Sequence, residues 1–338
     1  MNKLAFIAVG ENIHCTRIYK VGGNLVQSYG DAYVIKYDVD GEARYLPIPP
    51  QFVKSEDWEK KKVKHVAVAV WQGVYGDEAG KTAGIDYLEN MVRIQETNGA
   101  SFIDLNVDEF STDVQERAHL IQWAAGIIQN VASVPLSIDS SDITILRSGL
   151  EACDRSKGKP MVNSISLERA DAIQAAGDAS AVVIAGATGE TRMPSTVEDR
   201  LYNYDQLLPR LIQAGFQLND IYLDPLIFPV AVDVKNGKLA LDCIKTLREK
   251  YGPEIHFAPG ISNVSYGLPK RNWVNLVFAY LAVQNGCDGG IVDPRHINAP
   301  LLESLDTDSE PFMLAKALLM GEDAFAENYI LAVRKGVI

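Results

Sequence analysis

Three observations predict an α/β chain folded as a (β/α)8 TIM barrel with a hairpin-containing insertion after the first strand. Eight short apolar runs recur along the sequence, and longer amphipathic segments alternate with them through the second half, the pattern of a parallel sheet covered by helices. No Gly-rich dinucleotide fingerprint and no phosphate-binding loop follows a run, Gly186-Ala187-Thr188-Gly189 being only a Gly-containing turn. A closed barrel is therefore favoured over an open doubly wound sheet.

The expected strands are Leu4–Val9, Phe102–Val107, Leu136–Asp139, Met161–Ser164, Ala181–Ala185, Ile221–Asp224, His256–Ile261 and Gly289–Asp293. Over Val114–Val131, Ala118, Ile121, Ala125, Ile128 and Val131 recur every three or four residues and form one apolar stripe. Ser195 and Glu198 have capping-box spacing ahead of a helix over Leu201–Ala214, which Pro209 bends or divides. Helices over Gly84–Thr97, Ser141–Ala152, Glu168–Ala176, Leu239–Tyr251 and Trp273–Asn285 complete the repeat, with Pro269 near a helix start. Ala32–Asp38 and Ala43–Ile48 around Asp40-Gly41 read as a β-hairpin ended by Pro47, Pro49 and Pro50. Glu56–Val70 mixes charged and apolar positions. The expected organisation is one barrel domain over 1–338, an insertion over 20–80, and a helical segment over 295–338 packed on the barrel with helices near Pro311–Leu319 and Asp323–Ala332.

Composition excludes several function classes. With 338 residues, 47% hydrophobic and 22% charged, the chain can bury a large core. Thirty-two Lys and Arg against 44 Asp and Glu leave a net charge of -12, with no basic stripe interleaved with aromatics. Nucleic acid is not an expected ligand. Cys15, Cys153, Cys243 and Cys287 stand far apart and read as reduced. The start of the chain reads as an opening strand, not a signal peptide, and no run approaches the roughly 20 apolar residues of a membrane span. Cytoplasmic location is the expectation. The five histidines, at 14, 65, 119, 256 and 296, have no conventional pair spacing, so no protein-bound metal is expected. His119 reads as structural or solvent-facing and His256 as an ordinary strand-start residue, while His14 beside Cys15 does not by adjacency make a catalytic pair. Ser140, Ser164 and Ser265 lack a nucleophile elbow and a placed histidine.

The ends of the expected strands carry the chemistry. Asp104 and Asn106, Asp139, Asn163, Asp224, Asn263 and Asp293 all fall there, and in a barrel the C-terminal strand ends open onto one mouth. Each alone is equally well explained as a helix cap or turn brace; the recurrence is what points to a site. Carboxylates accept from ring N–H and amino groups, and Asn donates and accepts at once, so the set suits a flat, nitrogen-rich heterocycle.

At Phe102-Ile103-Asp104-Leu105-Asn106-Val107, Leu136-Ser137-Ile138-Asp139-Ser140, Met161-Val162-Asn163-Ser164, Tyr222-Leu223-Asp224-Pro225 and Gly260-Ile261-Ser262-Asn263-Val264-Ser265, the chain resembles pterin-binding methyltransferases. The resemblance is to methyltetrahydrofolate:corrinoid-protein methyltransferases and the folate-binding module of cobalamin-dependent methionine synthase, with dihydropteroate synthase more distant. It implies that Asp139, Asn163 and Asp224 bind the pterin ring, that Asn263 contacts the N5 region as the catalytic donor, and that Asp104 and Asn106 support them. It implies methyl transfer between N5 of tetrahydrofolate, or 5-methyltetrahydrofolate, and the cobalt of a corrinoid carried by a partner protein. The chain departs from the family at Asn12, where relatives often have Arg, and at His14, where they often have Asn. The segment Tyr266-Gly267-Leu268-Pro269-Lys270-Arg271 resembles the methionine-synthase branch. A homodimer is compatible with this reading, and the insertion is a candidate docking element or cover. Two alternatives stand beside it: a dihydropteroate-synthase-like condensing enzyme using Lys270 and Arg271 for a pyrophosphate, and a non-catalytic pterin-binding or corrinoid-docking protein.

Overall fold

The computed structural model describes residues 4–338, so the first three residues of the barrel domain expected over 1–338 lie outside the described residues. Eight parallel strands form the sheet: β1 (Ile7–His14), β2 (Ala100–Asn106), β3 (Leu136–Asp139), β4 (Met161–Ile165), β5 (Val182–Gly186), β6 (Ile221–Asp224), β7 (His256–Phe257) and β8 (Gly289–Val292). Their spatial order is β7-β6-β5-β4-β3-β2-β1-β8. A parallel bridge between Gly260, just past β7, and Ile291 in β8 joins the two ends. The fold is a (β/α)8 TIM barrel, as the alternating pattern predicts.

Helices α1 (Glu78–Thr97), α2 (Val114–Val131), α3 (Ile143–Glu151), α4 (Ala172–Asp178), α5 (Val197–Gln213), α6 (Asn236–Tyr251), α7 (Arg271–Gln284) and α8 (Glu310–Leu319) accompany the strands. The expected stripe of α2 is buried at Ala118, Ile121, Ala125 and Ile128, while His119 faces solvent. The cap of α5 differs from expectation by one position. Thr196, not Ser195, accepts the Asp199 N–H and Asp199 returns the bond in a complete capping box; Asp is acceptor enough at the third position, which a search for Glu or Gln passes over. Pro209 lies inside α5 without ending it. The expected strand His256–Ile261 divides into the two residues of β7 and a 3-10 turn over Ile261–Ser265.

By internal contact the chain falls into two compact units. The first comprises Met1–Gly10, Asn98–Phe102 and Met161–Ile338. Its core joins Val9, Phe102, Met161, Val182, Ile184, Tyr222 and Ala258, with Ile7 and Ile291 against them. These apolar side chains come from β1, β2, β4, β5, β6, β8 and the residue after β7, and they define the inner face of the sheet. Because side chains alternate along a strand, the residue two places on shares that face: two beyond Met161 is Asn163, and two beyond Tyr222 is Asp224.

The second unit comprises Glu11–Thr97 and Ile103–Pro160. In β3, Ile138 points outward: a side chain at Gly149 of α3 would begin 2.7 Å from Ile138 Cγ2. Its neighbours Ser137 and Asp139 therefore point to the other face, and Asp104 lies opposite Ser137 in the β2–β3 register. The insertion belongs to this unit. Ile18–Lys20 pairs antiparallel with Lys62–Lys64, so its two ends are adjacent. Between them Val26–Tyr29, Ala32–Val39 and Glu42–Pro47 form a three-stranded antiparallel sheet. The hairpin expected around Asp40-Gly41 is present: both residues have positive φ, 53° and 85°, as a two-residue hairpin turn requires. The sheet is fastened to α1, where Asp86 accepts from the Tyr37 hydroxyl at 2.6 Å and pairs with Arg44, and Asn90 donates to the Asp38 carbonyl at 2.9 Å. One helix, His65–Tyr75, escaped the sequence reading because His65 to Val70 is buried without a break, which erases the helical period.

Cys15, Cys153, Cys243 and Cys287 are free, and burial pushes the Cys15, Cys243 and Cys287 thiols up to about 12. Among the described residues no helix is long and apolar enough to cross a membrane, and no group of three or more His, Cys, Asp or Glu side chains is placed to hold a metal ion.

Candidate active site

In the second unit the ends of β1, β2 and β3 are tied by side chains. Asn106 closes β2, almost fully buried, and its Nδ2 donates to Asp139 Oδ2 at the end of β3 over 3.0 Å. The amide is oriented by the Asp108 N–H, which donates to Asn106 Oδ1 at 2.9 Å. Asp104, two residues earlier on the same face, is 2% exposed and lies deeper than the strand end. It supports the layer above it and offers little surface to a ligand. His14, at the end of β1, places Nε2 3.3 Å from the same Asp139 Oδ2. Asp108 in turn braces the loop after β3: it accepts from the Ser140 hydroxyl at 2.6 Å, the Ser141 N–H at 2.8 Å and the Ser141 hydroxyl at 2.9 Å. Sequence reasoning noted His14 only as a departure from the family pattern and missed Asp108. The loop Ser-Ser pair after Asp139 was a signal for a carboxylate bracing it, but nothing in the spacing named which one.

In the first unit, Asn163 is half-buried near the end of β4 and pairs in register with Ile184, whereas Ala185 pairs with Ile165. Ser164 is thus one extra residue, a bulge that bends β4 just past Asn163. Asp224 closes β6 opposite Gly186, where a side chain would begin 3.8 Å from the Ser164 hydroxyl oxygen. Removal of the half-buried Asp224 from solvent pushes its pKa up to about 6, against the smaller opposing effects of the Leu226 and Gly260 N–H groups and the Arg200 charge. Leu226 N donates to Asp224 Oδ1 at 3.0 Å and adopts a left-handed φ of 60°, a conformation that costs a Leu about 1 kcal/mol or more. Arg200 holds that turn. It is 1% exposed and donates to the Pro225 carbonyl at 2.5 Å, the Leu226 carbonyl at 3.1 Å and the Thr196 carbonyl at 2.8 Å.

Gly260 links Asp224 to Asn263. Its N–H serves the Asp224 carboxylate, and a side chain there would begin 3.0 Å from Asn263 Nδ2. Asn263 sits on the 3-10 turn, exposed, and its side-chain amide makes no hydrogen bond among the described residues. Arg271 fixes the turn from beneath: Nη2 donates to the Ser262 carbonyl at 2.7 Å, Nε to the Ser265 hydroxyl at 3.1 Å, and the guanidinium lies 5.7 Å from the Tyr266 ring. Asp293, the remaining strand-end acid, is engaged by Arg295 through Oδ1 and Oδ2 at 2.6 to 3.1 Å. An open cavity of about 840 Å3 in the same unit is bounded by Phe216, Leu218, Pro253, Glu254 and His256. It lies at the N-terminal ends of β6 and β7, away from Asp224 and Asn263, and barrels carry their chemistry at the C-terminal ends.

Asp139 in the second unit, and Asn163, Asp224 and Asn263 in the first, each present a half-buried or exposed polar edge, of the kind that meets donors and acceptors of a heterocycle. Residues 79–293 match the family described as pterin binding enzyme. The chain belongs to that family. Among curated proteins this pterin-binding enzyme is 26% identical over 257 residues, 75% of its own length and 89% of the relative's, to the methylcorrinoid:tetrahydrofolate methyltransferase of Eubacterium limosum. Among solved structures it is similar to Yersinia pestis dihydropteroate synthase in complex with a sulfonamide drug, with a TM-score of 0.50 and 17% identity over 72% of this chain and 87% of that one. Stenotrophomonas maltophilia dihydropteroate synthase with bound imidazole gives a TM-score of 0.49 and 17% identity over 67% and 86%. At this identity the likeness of the pterin-binding enzyme to the Yersinia pestis synthase is one of fold.

Proposed function

We propose that the chain, as one barrel domain over residues 1–338, transfers a methyl group between N5 of tetrahydrofolate or a related tetrahydropterin and the cobalt of a corrinoid held by a separate protein in the cytoplasm. The observation that carries the reading is the exposed Asn263 amide, without a hydrogen-bond partner among the described residues and next to Gly260, whose N–H faces the Asp224 carboxylate. The likeness to a methylcorrinoid:tetrahydrofolate methyltransferase over most of both chains supports the same chemistry.

Asp139, Asn163 and Asp224 bind the ring. Carboxylates at Asp139 and Asp224 accept from ring N–H and amino groups, and the Asn163 amide meets an edge that both donates and accepts. Asn263 donates toward N5. When the bond from N5 to the methyl carbon breaks, electron density returns to that nitrogen, and a fixed donor there stabilises it more than it stabilises the ground state. Asn263 is a polarising donor and not an acid, so the proton that N5 gains comes through water and a carboxylate. The corrinoid supplies the nucleophilic or methylated cobalt and remains with its partner.

Arg271, which a condensing enzyme would spend on a pyrophosphate, is spent here on the turn that carries Asn263; this supports methyl transfer over condensation. Anaerobic incubation with labelled 5-methyltetrahydrofolate and reduced corrinoid protein, or with methylated corrinoid protein and tetrahydrofolate, tests the activity. Label is expected to cross in at least one direction. Transfer in neither, over a broad panel of corrinoid proteins, would reject the assignment, and condensation of a pterin pyrophosphate with p-aminobenzoate would replace it.

A further inference from the structure

We infer that His14 is a positioning residue for Asp139: together with Asn106 it occupies one carboxylate oxygen and leaves the other, Oδ1, as a dedicated acceptor for an N–H or amino group of the ligand. The inference rests on the pterin reading of the same site.

Thr16 decides where the imidazole proton sits. Its backbone N–H, which can only donate, lies 3.3 Å from His14 Nδ1, and its hydroxyl lies 2.6 Å from the same atom. Nδ1 is therefore the acceptor, and the neutral ring carries its proton on Nε2. Nε2 faces Asp139 Oδ2 at 3.3 Å, and Asn106 Nδ2 donates to that same oxygen at 3.0 Å. The orientation of the Asn106 amide is not arbitrary either, because the Asp108 N–H at 2.9 Å identifies its other atom as the oxygen.

The Asn106 amide thus hydrogen-bonds Oδ2 and the Nε2 edge of His14 lies 3.3 Å from the same oxygen, while Oδ1 has no partner among the described residues. A carboxylate held in this way cannot rotate to offer either oxygen without losing a bond. The ligand edge that meets it is a ring N–H or an exocyclic amine, and an edge of carbonyl oxygens is rejected. His14 does this without touching the ligand.

Tetrahydrofolate titrations of the full chain under anaerobic conditions test the assignment. His14→Ala is expected to raise the dissociation constant about fivefold, one lost polar neighbour of the carboxylate, and His14→Gln, which restores an N–H donor, to recover most of that loss. His14→Phe keeps the ring volume without the donor and serves if the alanine variant does not fold; it should bind as weakly as the alanine variant. In an Asp139→Ala background, removal of the His14 side chain should have no further effect. Unchanged affinity in both His14→Ala and His14→Phe, or the same loss with and without Asp139, would overturn the inference while wild-type binding leaves the pterin reading standing. Absence of tetrahydrofolate binding by the wild-type chain would overturn both.

Discussion

Replacing Asn263 by alanine is expected to slow methyl transfer about a hundredfold while leaving the dissociation constant for tetrahydrofolate within about threefold. The reasoning is that of differential stabilisation: a preorganised donor aimed at an atom that gains charge in the transition state is worth about two orders of magnitude in rate, and less in the ground state where that charge is absent. The structure suits Asn263 to this task. Its backbone is set in a 3-10 turn, Arg271 holds the turn, and its side chain is exposed with no competing partner among the described residues. For the same reason truncation should leave the fold intact, so thermal melts of the two proteins should coincide. Single-turnover kinetics with saturating tetrahydropterin separate rate from affinity. Equal transfer rates would remove Asn263 from the mechanism.

Asp224→Asn is expected to weaken tetrahydrofolate binding by about thirtyfold at pH 8 and, at the same pH, to raise the melting temperature by about 2 °C. Both follow from the burial that pushes the Asp224 pKa up to about 6 from a usual 3.8. Between about pH 4 and pH 6 the folded protein binds a proton at this position that the unfolded chain has lost, so stability falls as pH rises through that window and remains lower above it. An amide at the same place has no charge to desolvate, and the difference in melting temperature should vanish near pH 4. Binding moves the other way. The wild-type carboxylate becomes a charged acceptor as pH rises through about 6, so affinity should climb there and level off, whereas the asparagine variant should lack that limb. The loss at pH 8 is that of one charge-assisted hydrogen bond. Titrations and scanning calorimetry at pH 4 and 8 check both arms. A variant no more stable than wild type at pH 8 would contradict the burial argument, and one that binds equally well would take Asp224 out of the site.

The barrel was legible in the sequence because its strands are short apolar runs with strict alternation at their ends. Leu136–Asp139 and Ile221–Asp224 have the boundaries that the apolar run and its terminal Asp predict, and α2 has the bounds of its stripe. Elements were lost where burial is complete or the run is interrupted. His65–Tyr75 has no exposed face in its first turns to mark a period, and the strand expected over His256–Ile261 contains Pro259 and Gly260, which turn the chain early. Within the candidate site, the strand-end positions of Asn106, Asp139 and Asp224 were legible, whereas the hydrogen bond between Asn106 and Asp139 and the 3-10 turn that carries Asn263 were not. His14 and Arg200 were not legible, since one depends on the reach of an imidazole across two strands and the other on a guanidinium crossing from α5 to the turn after β6. Those contacts are properties of the fold and leave no spacing in the chain.

The most direct measurement is an experimental structure of the chain with bound 5-methyltetrahydrofolate. The account predicts a pterin whose N–H and amino edge is held by Asp139, Asn163 and Asp224, with N5 within hydrogen-bond distance of the Asn263 amide and Asp139 meeting it through Oδ1. A pterin bound away from these four residues would contradict the assignment, even with the barrel unchanged.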